Sequence, residues 1–233
     1  MQKKIAVIND LSGYGRCSLT VAIPVLSAMG HQCCPIPTAI LSNHTEFPVY
    51  FFDDYTEKMT TYTDKWKELG LSFDAIATGF LGSEAQIGIV MEIVQKLKAE
   101  KTFVVVDPVM GDHGHAYETY TPEMCEQMKE LVCMADVVLP NVTECCILTD
   151  TPYKEENWTR KELLNMAMML RLMGAKSVVI TGVREGSCYT NVVLEQGQYD
   201  AKFIRTRSSG GERPGTGDVF SSVVAGALLN GKS

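Results

Sequence analysis

The sequence predicts an α/β fold in which a mostly parallel central sheet carries helices on both faces. Short β-branched runs alternate along the chain with longer segments of helical period. Ile5–Ile8 and Phe103–Val106 are apolar throughout, as strands buried on both sides must be. No linker-like stretch and no repeat of about 20–50 residues divides the 233 residues, so one domain spanning 1–233 is expected.

Ile5–Ile8 is the first strand, followed by a Gly-rich turn and a helix from about Cys17 to Met29 that stops at Gly30. Cys33–Leu41 is the second strand, confined by Pro35 and Pro37 to an edge or a bulge. Across Thr56–Leu69, Met59, Tyr62, Trp66 and Leu69 share one helical face. Asp74–Thr78 is a third strand, and Ser83 with Gln86 makes a capping box ahead of Ile87, Val90, Met91, Val94 and Leu97. Phe103–Val106 ends in Asp107-Pro108, and Thr121-Pro122 opens a helix with proline in its first turn. Val137–Leu139 is a strand, Thr159 and Glu162 form a second capping box, and Gly174 closes that helix. Ser177–Thr181 is a further buried strand. Two alternating runs, Cys188–Leu194 and Tyr199–Ile204, flank Gln196-Gly197-Gln198 as a hairpin, and the last helix runs from about Asp218 to Leu229.

The composition narrows the function classes. With 45% hydrophobic and 21% charged residues the chain is an ordinary globular one. Its net charge of −7 argues against a nucleic-acid surface, which needs clustered Lys and Arg. An anionic ligand must then be held by local amides, cations or a metal. The eight cysteines include the adjacent pairs Cys33-Cys34 and Cys145-Cys146 but no C-x-x-C, and His31, His44, His113 and His115 complete no zinc spacing. They read as small residues of a reducing compartment. Ile5–Ile8 is too short for a signal-peptide core, and no stretch approaches the roughly 18 apolar residues of a membrane span. A cytoplasmic protein without a membrane partner is expected.

In parallel α/β sheets ligands sit outside the carboxyl ends of strands, so polar residues that follow strands are the candidates. Gly226-x-x-x-x-Gly231-Lys232-Ser233 satisfies the P-loop expression, but it closes a helix where a true P-loop opens one. Gly13-x-Gly15-x-x-Ser18 resembles a dinucleotide turn, yet no acidic residue ends the second strand to take a ribose hydroxyl. The informative segment is Gly210-Gly211-Glu212-Arg213-Pro214-Gly215-Thr216-Gly217-Asp218. Its last glycines let backbone amides converge ahead of a helix whose positive end points the same way, an anion hole. Asp218 then has two readings, an N-cap or a general base beside bound phosphate. Asp107 and Asp112 after one strand, with Asn141 and Glu144 after the next, offer oxygen ligands for Mg2+ with phosphates and water; they also suit turns and caps.

Gly-Thr-Gly-Asp before the last helix, Asn141-x-x-Glu144 and Asp107-Pro108-Val109-Met110-Gly111-Asp112 together resemble the ribokinase superfamily. Ser42-Asn43-His44-Thr45 and Asp10-Leu11-Ser12-Gly13 narrow the resemblance to its pyridoxal kinase branch, with the motifs in order along essentially the whole chain. The resemblance implies a ribokinase-like three-layer fold and ATP-dependent phosphorylation of the 5′-hydroxymethyl group of pyridoxal, pyridoxamine or pyridoxine. It implies Asp218 as base and the amides of Gly215, Thr216 and Gly217 as the anion hole. Asp10, Ser12, Thr45 and Phe80 would bind substrate, with core burial the other reading of Phe80. Asp107, Asn141, Glu144, Thr181 and Gly217 would bind ATP, with Asp107 and Glu144 holding Mg2+; a monovalent cation is a further candidate. The stretch from Gly111 to Tyr120 is similar to a flap over the nucleotide, in which His113 and His115 are expected to be solvated. Relatives are commonly homodimers. They also continue for some tens of residues past this point, so adenine-site residues are expected beyond Ser233, and their first turn is longer than Gly13-Tyr14-Gly15-Arg16. A hydroxymethylpyrimidine kinase shares the fold and stays open, as do an NAD-linked oxidoreductase and a non-catalytic binding protein.

Overall fold

A computed structural model describes residues 2–211 and 213–232. In chain order its elements are β1 (Lys4–Tyr14), α1 (Ser18–Ala28), β2 (Gln32–Asn43), β3 (Phe52–Asp54), α2 (Thr56–Glu68), β4 (Ala75–Thr78) and α3 (Glu84–Leu97). Then come β5 (Phe103–Val106), β6 (Gly111–Asp112), β7 (His115–Ala116), α4 (Pro122–Cys133), β8 (Val137–Val138) and α5 (Val142–Leu148). The chain closes with α6 (Arg160–Met173), β9 (Ser177–Glu185), β10 (Cys188–Leu194), β11 (Lys202–Arg207) and α7 (Thr216–Leu229). Two compact units result, Met1–Val105 with Glu212–Ser233, and Val106–Gly211.

In the first unit the strands lie in the order β5-β4-β1-β2-β3. β1 pairs in parallel with β2 and β4, and short β3 pairs antiparallel on the margin. Alternate residues of β1 serve opposite faces. Ile5 and Val7 pack with Leu19, Ala22 and Leu26 of α1, while Ala6 and Ile8 are as fully buried on the other side. Replacing Leu26 with Ala would cost roughly 2–5 kcal/mol at such a site. α1 packs against α7, and α2 against α3. The expected fold class holds, with a parallel centre and helices packed on it.

Three details of this unit correct the sequence reading. β1 does not end at Ile8 but runs to Tyr14, so Asp10, Leu11 and Ser12 lie in a strand and not in a loop. The ladder survives the polar residues because β2 slips: three steps from Pro37 to Ile40 match two from Asn9 to Leu11. The prolines of β2 are tolerated because β3 pairs with it only over Ala39–Leu41, so no strand on that side needs their missing N–H. On α2, Met59 is buried as expected, but Leu69 lies past the helix end and is exposed. The Ser83 cap is half a box: Ser83 Oγ accepts from Gln86 N, while the Gln86 side chain turns to Gly82 N and Thr38 O.

In the second unit β8 and β9 pair in parallel, and β9, β10 and β11 follow in antiparallel order. Thr121 and Pro122 start α4 as expected, and Thr159 with Glu162 forms a complete capping box. β9 continues past Thr181 through a register shift where Gly182 has φ 72°. β11 starts three residues later than the pattern suggested, because the turn after β10 extends through Asp200 and is tied by Arg171 Nη1 to Gln198 O. No helix among the described residues is long and apolar enough to cross a membrane.

Candidate active site

In the first unit, the candidate groups gather around Asp218. Its helix starts earlier than expected: α7 begins at Thr216, with Gly215 at the N-cap in the left-handed region, φ 79°. A side chain at Gly215 would stand 2.1 Å from Arg16 O, so only glycine lets this turn pass the segment ahead of α1. By helix geometry the first-turn N–H groups of Thr216, Gly217 and Asp218 have no acceptor within α7, and Gly217 is exposed with open space where a Cβ would be.

Asp218 does not cap its own helix. Its Oδ1 accepts from Asn9 Nδ2 at 3.1 Å and its Oδ2 from the Ser18 N–H at 2.7 Å. Ser18 makes that contact from φ 51°, an uncommon conformation for a residue with a Cβ. Burial pushes the Asp218 carboxyl above the usual carboxylate range; the two donors pull it down and the charge of Asp10 pushes it up.

Asp10 and Ser12 are both buried and bonded to each other, Ser12 Oγ donating to Asp10 Oδ2 at 2.8 Å. Burial raises the Asp10 carboxyl too, opposed by the hydroxyls of Ser18 and Ser12, its own amide and the nearby His44. His44 is half-buried over Gly15, with its ring 4.6 Å from that of Phe47. Thr45, the neighbour singled out by sequence, is exposed in the turn after β2. Phe80 is half-buried, so it is no core residue; its backbone is fixed by Asn9 Oδ1 at 2.9 Å and Thr38 Oγ1 at 3.1 Å.

In the second unit, Asn141 and Glu144 form a complete capping box opening α5, a helix too short to give a period to read. Glu144, 3% exposed, accepts from Asn141 N at 2.8 Å and Met110 N at 3.1 Å. Asn141 is committed at both ends of its amide, to Glu144 N at 2.9 Å and Gly111 O at 2.8 Å. The Asn141 amide thus holds Glu144 and the start of the β6–β7 hairpin. Thr181 is half-buried beside Pro140, its N–H donating to Pro140 O at 2.9 Å.

Burial holds the Glu144 carboxyl well above the usual range, the charge of half-buried Asp107 adds to it, and the two amides oppose both. Two neighbouring carboxylates of this kind suit a divalent cation that also takes phosphate oxygens and water. Among the described residues no group of three or more His, Cys, Asp or Glu side chains forms a self-contained metal cage. β6 and β7 make a hairpin in the stretch expected to be a flap, and Gly114 N donates to Thr143 Oγ1 at 2.9 Å. His113 and His115 are exposed on it.

The remaining motifs carry no site. Gly226 lies buried in α7 against Met29 and His31, and Gly231 ends the helix with φ 72°, so the P-loop match has no phosphate loop behind it. Ser233 of that match and Glu212 of the glycine-rich segment lie outside the described residues. Gly13 is a strand residue against Ser42 O, not part of a dinucleotide turn. Asn9 and Ser18 escaped the sequence reading as partners of Asp218, since no local pattern links residues some two hundred positions apart.

A family model described as phosphomethylpyrimidine kinase matches residues 22–233. A crystal structure from Bacteroides thetaiotaomicron, provisionally assigned as a phosphomethylpyrimidine kinase, is 42% identical with a TM-score of 0.97, over 100% of this chain and 80% of that one. Its orthorhombic form, solved with pyridoxal, gives 0.94 over 100% and 82%. Pyridoxal kinase from Lactobacillus plantarum is 30% identical, with a TM-score of 0.91 over 100% and 82% of the two chains. The pyridoxal kinase of Dictyostelium discoideum is 27% identical over 243 residues, 97% of this chain and 78% of that protein.

Proposed function

The chain belongs to the phosphomethylpyrimidine kinase family, and from that premise we propose that it transfers the terminal phosphoryl group of ATP to the 5′-hydroxymethyl group of pyridoxal, pyridoxamine or pyridoxine. The observation that carries the reading is the Asp218 carboxylate, held by Asn9 and Ser18 in the first turn of α7 directly after Gly215–Gly217. Likeness to a structure solved with pyridoxal supports the substrate class.

In this reading Asp218 takes the proton of the substrate hydroxyl as that oxygen attacks the γ-phosphorus; the P–O bond to ADP breaks and ADP leaves with its electron pair. Its raised proton affinity brings it closer to that of the alcohol it serves. The amides of Gly215, Thr216 and Gly217 face the charge on the transferring group, helped by the dipole of α7. Asp10 and Ser12 meet the polar substituents of the vitamer ring, with Phe80 as an apolar neighbour, and Thr45 is the weakest member of this set because it is exposed. Asp107 and Glu144 would hold Mg2+, with Thr181 on the ATP side. Bound Mg2+ supplies positive charge against the phosphate oxygens. A homodimer, a cytoplasmic setting and a monovalent cation belong to the same proposal on the resemblance alone.

The reading kept second is phosphorylation of a hydroxymethylpyrimidine, favoured by the description of the family model. A thermal-shift titration tests the reaction class. MgATP should raise the melting temperature in a concentration-dependent way, and NAD should not. Protection by NAD without protection by MgATP would overturn the kinase reading.

A further inference from the structure

We propose that Asn9 is a positioning residue for the base: its side-chain amide is locked by backbone donors so that its N–H can serve only one carboxylate oxygen of Asp218. The inference rests on the reading of Asp218 as the base.

The locking follows from the donor and acceptor inventory of an amide side chain. Asn9 is buried, and its Oδ1 receives two backbone N–H groups, Phe80 N at 2.9 Å and Asp10 N at 3.0 Å. Only oxygen can accept, so Nδ2 must occupy the other side, where it meets Asp218 Oδ1 at 3.1 Å. Gly79 makes room for this arrangement, since a Cβ there would stand 2.3 Å from Nδ2. Gly79 is itself fixed, its N–H donating to Ile8 O at 2.8 Å. One side chain therefore ties together Asp10, Phe80 and Asp218, three of the residues given roles above. The Ser18 N–H holds the other oxygen, so each carboxylate oxygen keeps a lone pair for an incoming hydroxyl.

Burial is the main force that would keep Asp218 protonated, and the same amide opposes it. The titratable groups facing Asp218 are Asp10 from β1 and Cys17 from the turn ahead of α1. A negative charge on either favours the protonated carboxyl, which cannot act as a base. The Asn9 N–H favours the ionised form.

Asn9→Asp separates the two tasks, because it keeps an oxygen for the two backbone donors and replaces the N–H aimed at Asp218 with a second oxygen. The acid limb of the kcat profile, the ATP KM and the carboxyl titration of Asp218 by 13C NMR are measured in both proteins. The expected result is a kcat at least about tenfold lower near neutral pH, with the ATP KM within about threefold. The acid limb and the Asp218 midpoint should both move up by about one pH unit, a tenfold change in proton affinity. Because the new carboxylate raises the Asp218 midpoint by its charge alone, the deciding readout is kcat on the plateau above the acid limb, and a plateau equal to the parent's overturns the proposal.

Unaltered protein gives a second test that needs no variant to fold. The side-chain N–H resonances of Asn9 should shift with pH at the Asp218 midpoint, and resonances indifferent to that titration would refute the contact. If the unaltered protein phosphorylates no vitamer, the functional reading fails, while the two NMR titrations still decide whether Asn9 controls Asp218.

Discussion

Ser18 and Asp218 stand 200 positions apart in the chain, and the Ser18 N–H donates to Asp218 Oδ2 at 2.7 Å. The contact is made from a left-handed backbone conformation at the start of α1, which costs about 1–2 kcal/mol for a residue with a side chain. Such a conformation persists only where its surroundings hold it, and here the Ser18 N–H is anchored on the Asp218 carboxylate. The carboxylate that follows the glycine turn of α7 is thus seated by the N-terminal strand and the turn after it.

Asp218→Asn gives the sharpest chemical test of that seat. The two donors now in place, Asn9 Nδ2 and Ser18 N–H, both need an acceptor, and an amide offers one oxygen where the carboxylate offered two. The variant should lose roughly 10²–10⁴ in kcat, keep its ATP KM within about threefold, and melt lower than the parent. Steady-state kinetics with a melting curve checks both halves. Turnover near the parental rate would remove Asp218 from the chemistry.

Gly215 and Gly217 should fail differently. At Gly215 an alanine meets both a positive φ and the Arg16 carbonyl, so Gly215→Ala should lower the melting temperature. Gly217 is not in the left-handed region and has open space around it. Gly217→Ala should therefore keep or slightly raise stability while lowering kcat at least about tenfold, because the methyl stands where a phosphoryl oxygen must approach. Equal activity of the Gly217 variant and the parent would place the phosphate elsewhere.

Asp10 carries a stability cost whose sign is fixed. Burial makes its folded carboxyl hold a proton more tightly than the unfolded chain does, near ~3.9. The folded state binds the extra proton, so this contribution favours folding below the unfolded value and is lost as pH rises through the folded one. Asp10→Asn should then melt higher than the parent near neutral pH, and the gain should vanish at pH about 3–4. The Ser12 and Ser18 hydroxyls can rotate to suit the amide. Melting curves at both pH values check it; a gain that persists in acid would contradict the charge argument.

The P-loop look-alike should be inert. Gly226 sits inside α7 with His31 Nε2 2.9 Å from its carbonyl, and Lys232 follows the helix end. Lys232→Ala should change the ATP KM by less than about threefold, the scale of a screened surface charge. A larger change, measured by ATP titration, would reopen that segment as a nucleotide site.

Elements set by local chemistry were legible in the sequence. Phe103–Val106 is β5 to the residue, and the Thr159 box and the Thr121-Pro122 start read directly from capping and proline rules. What was not legible depends on distant partners. β1 continues through Asp10 and Ser12 because β2 slips beside it, which no reading of β1 alone reveals. The seven residues of α5 are too few to show a helical period, so the capping box of Asn141 and Glu144 looked like a strand-end cluster. Asp218 was found from its glycines, but Asn9 and Ser18 gained their roles only through contacts that the fold creates. His44, half-buried beside Asp10, lay one residue from the Thr45 that the motif suggested.

Product analysis reads phosphoryl transfer to the vitamer itself. The protein is incubated with MgATP and an equimolar panel of pyridoxal, pyridoxamine, pyridoxine and hydroxymethylpyrimidine, and phosphorylated products are separated and identified by mass. 5′-Phosphorylated B6 vitamers should form in step with ADP, at rates above that of the pyrimidine ester. Phosphorylation of the pyrimidine alone, or ADP release with no vitamer ester, would contradict the proposed function.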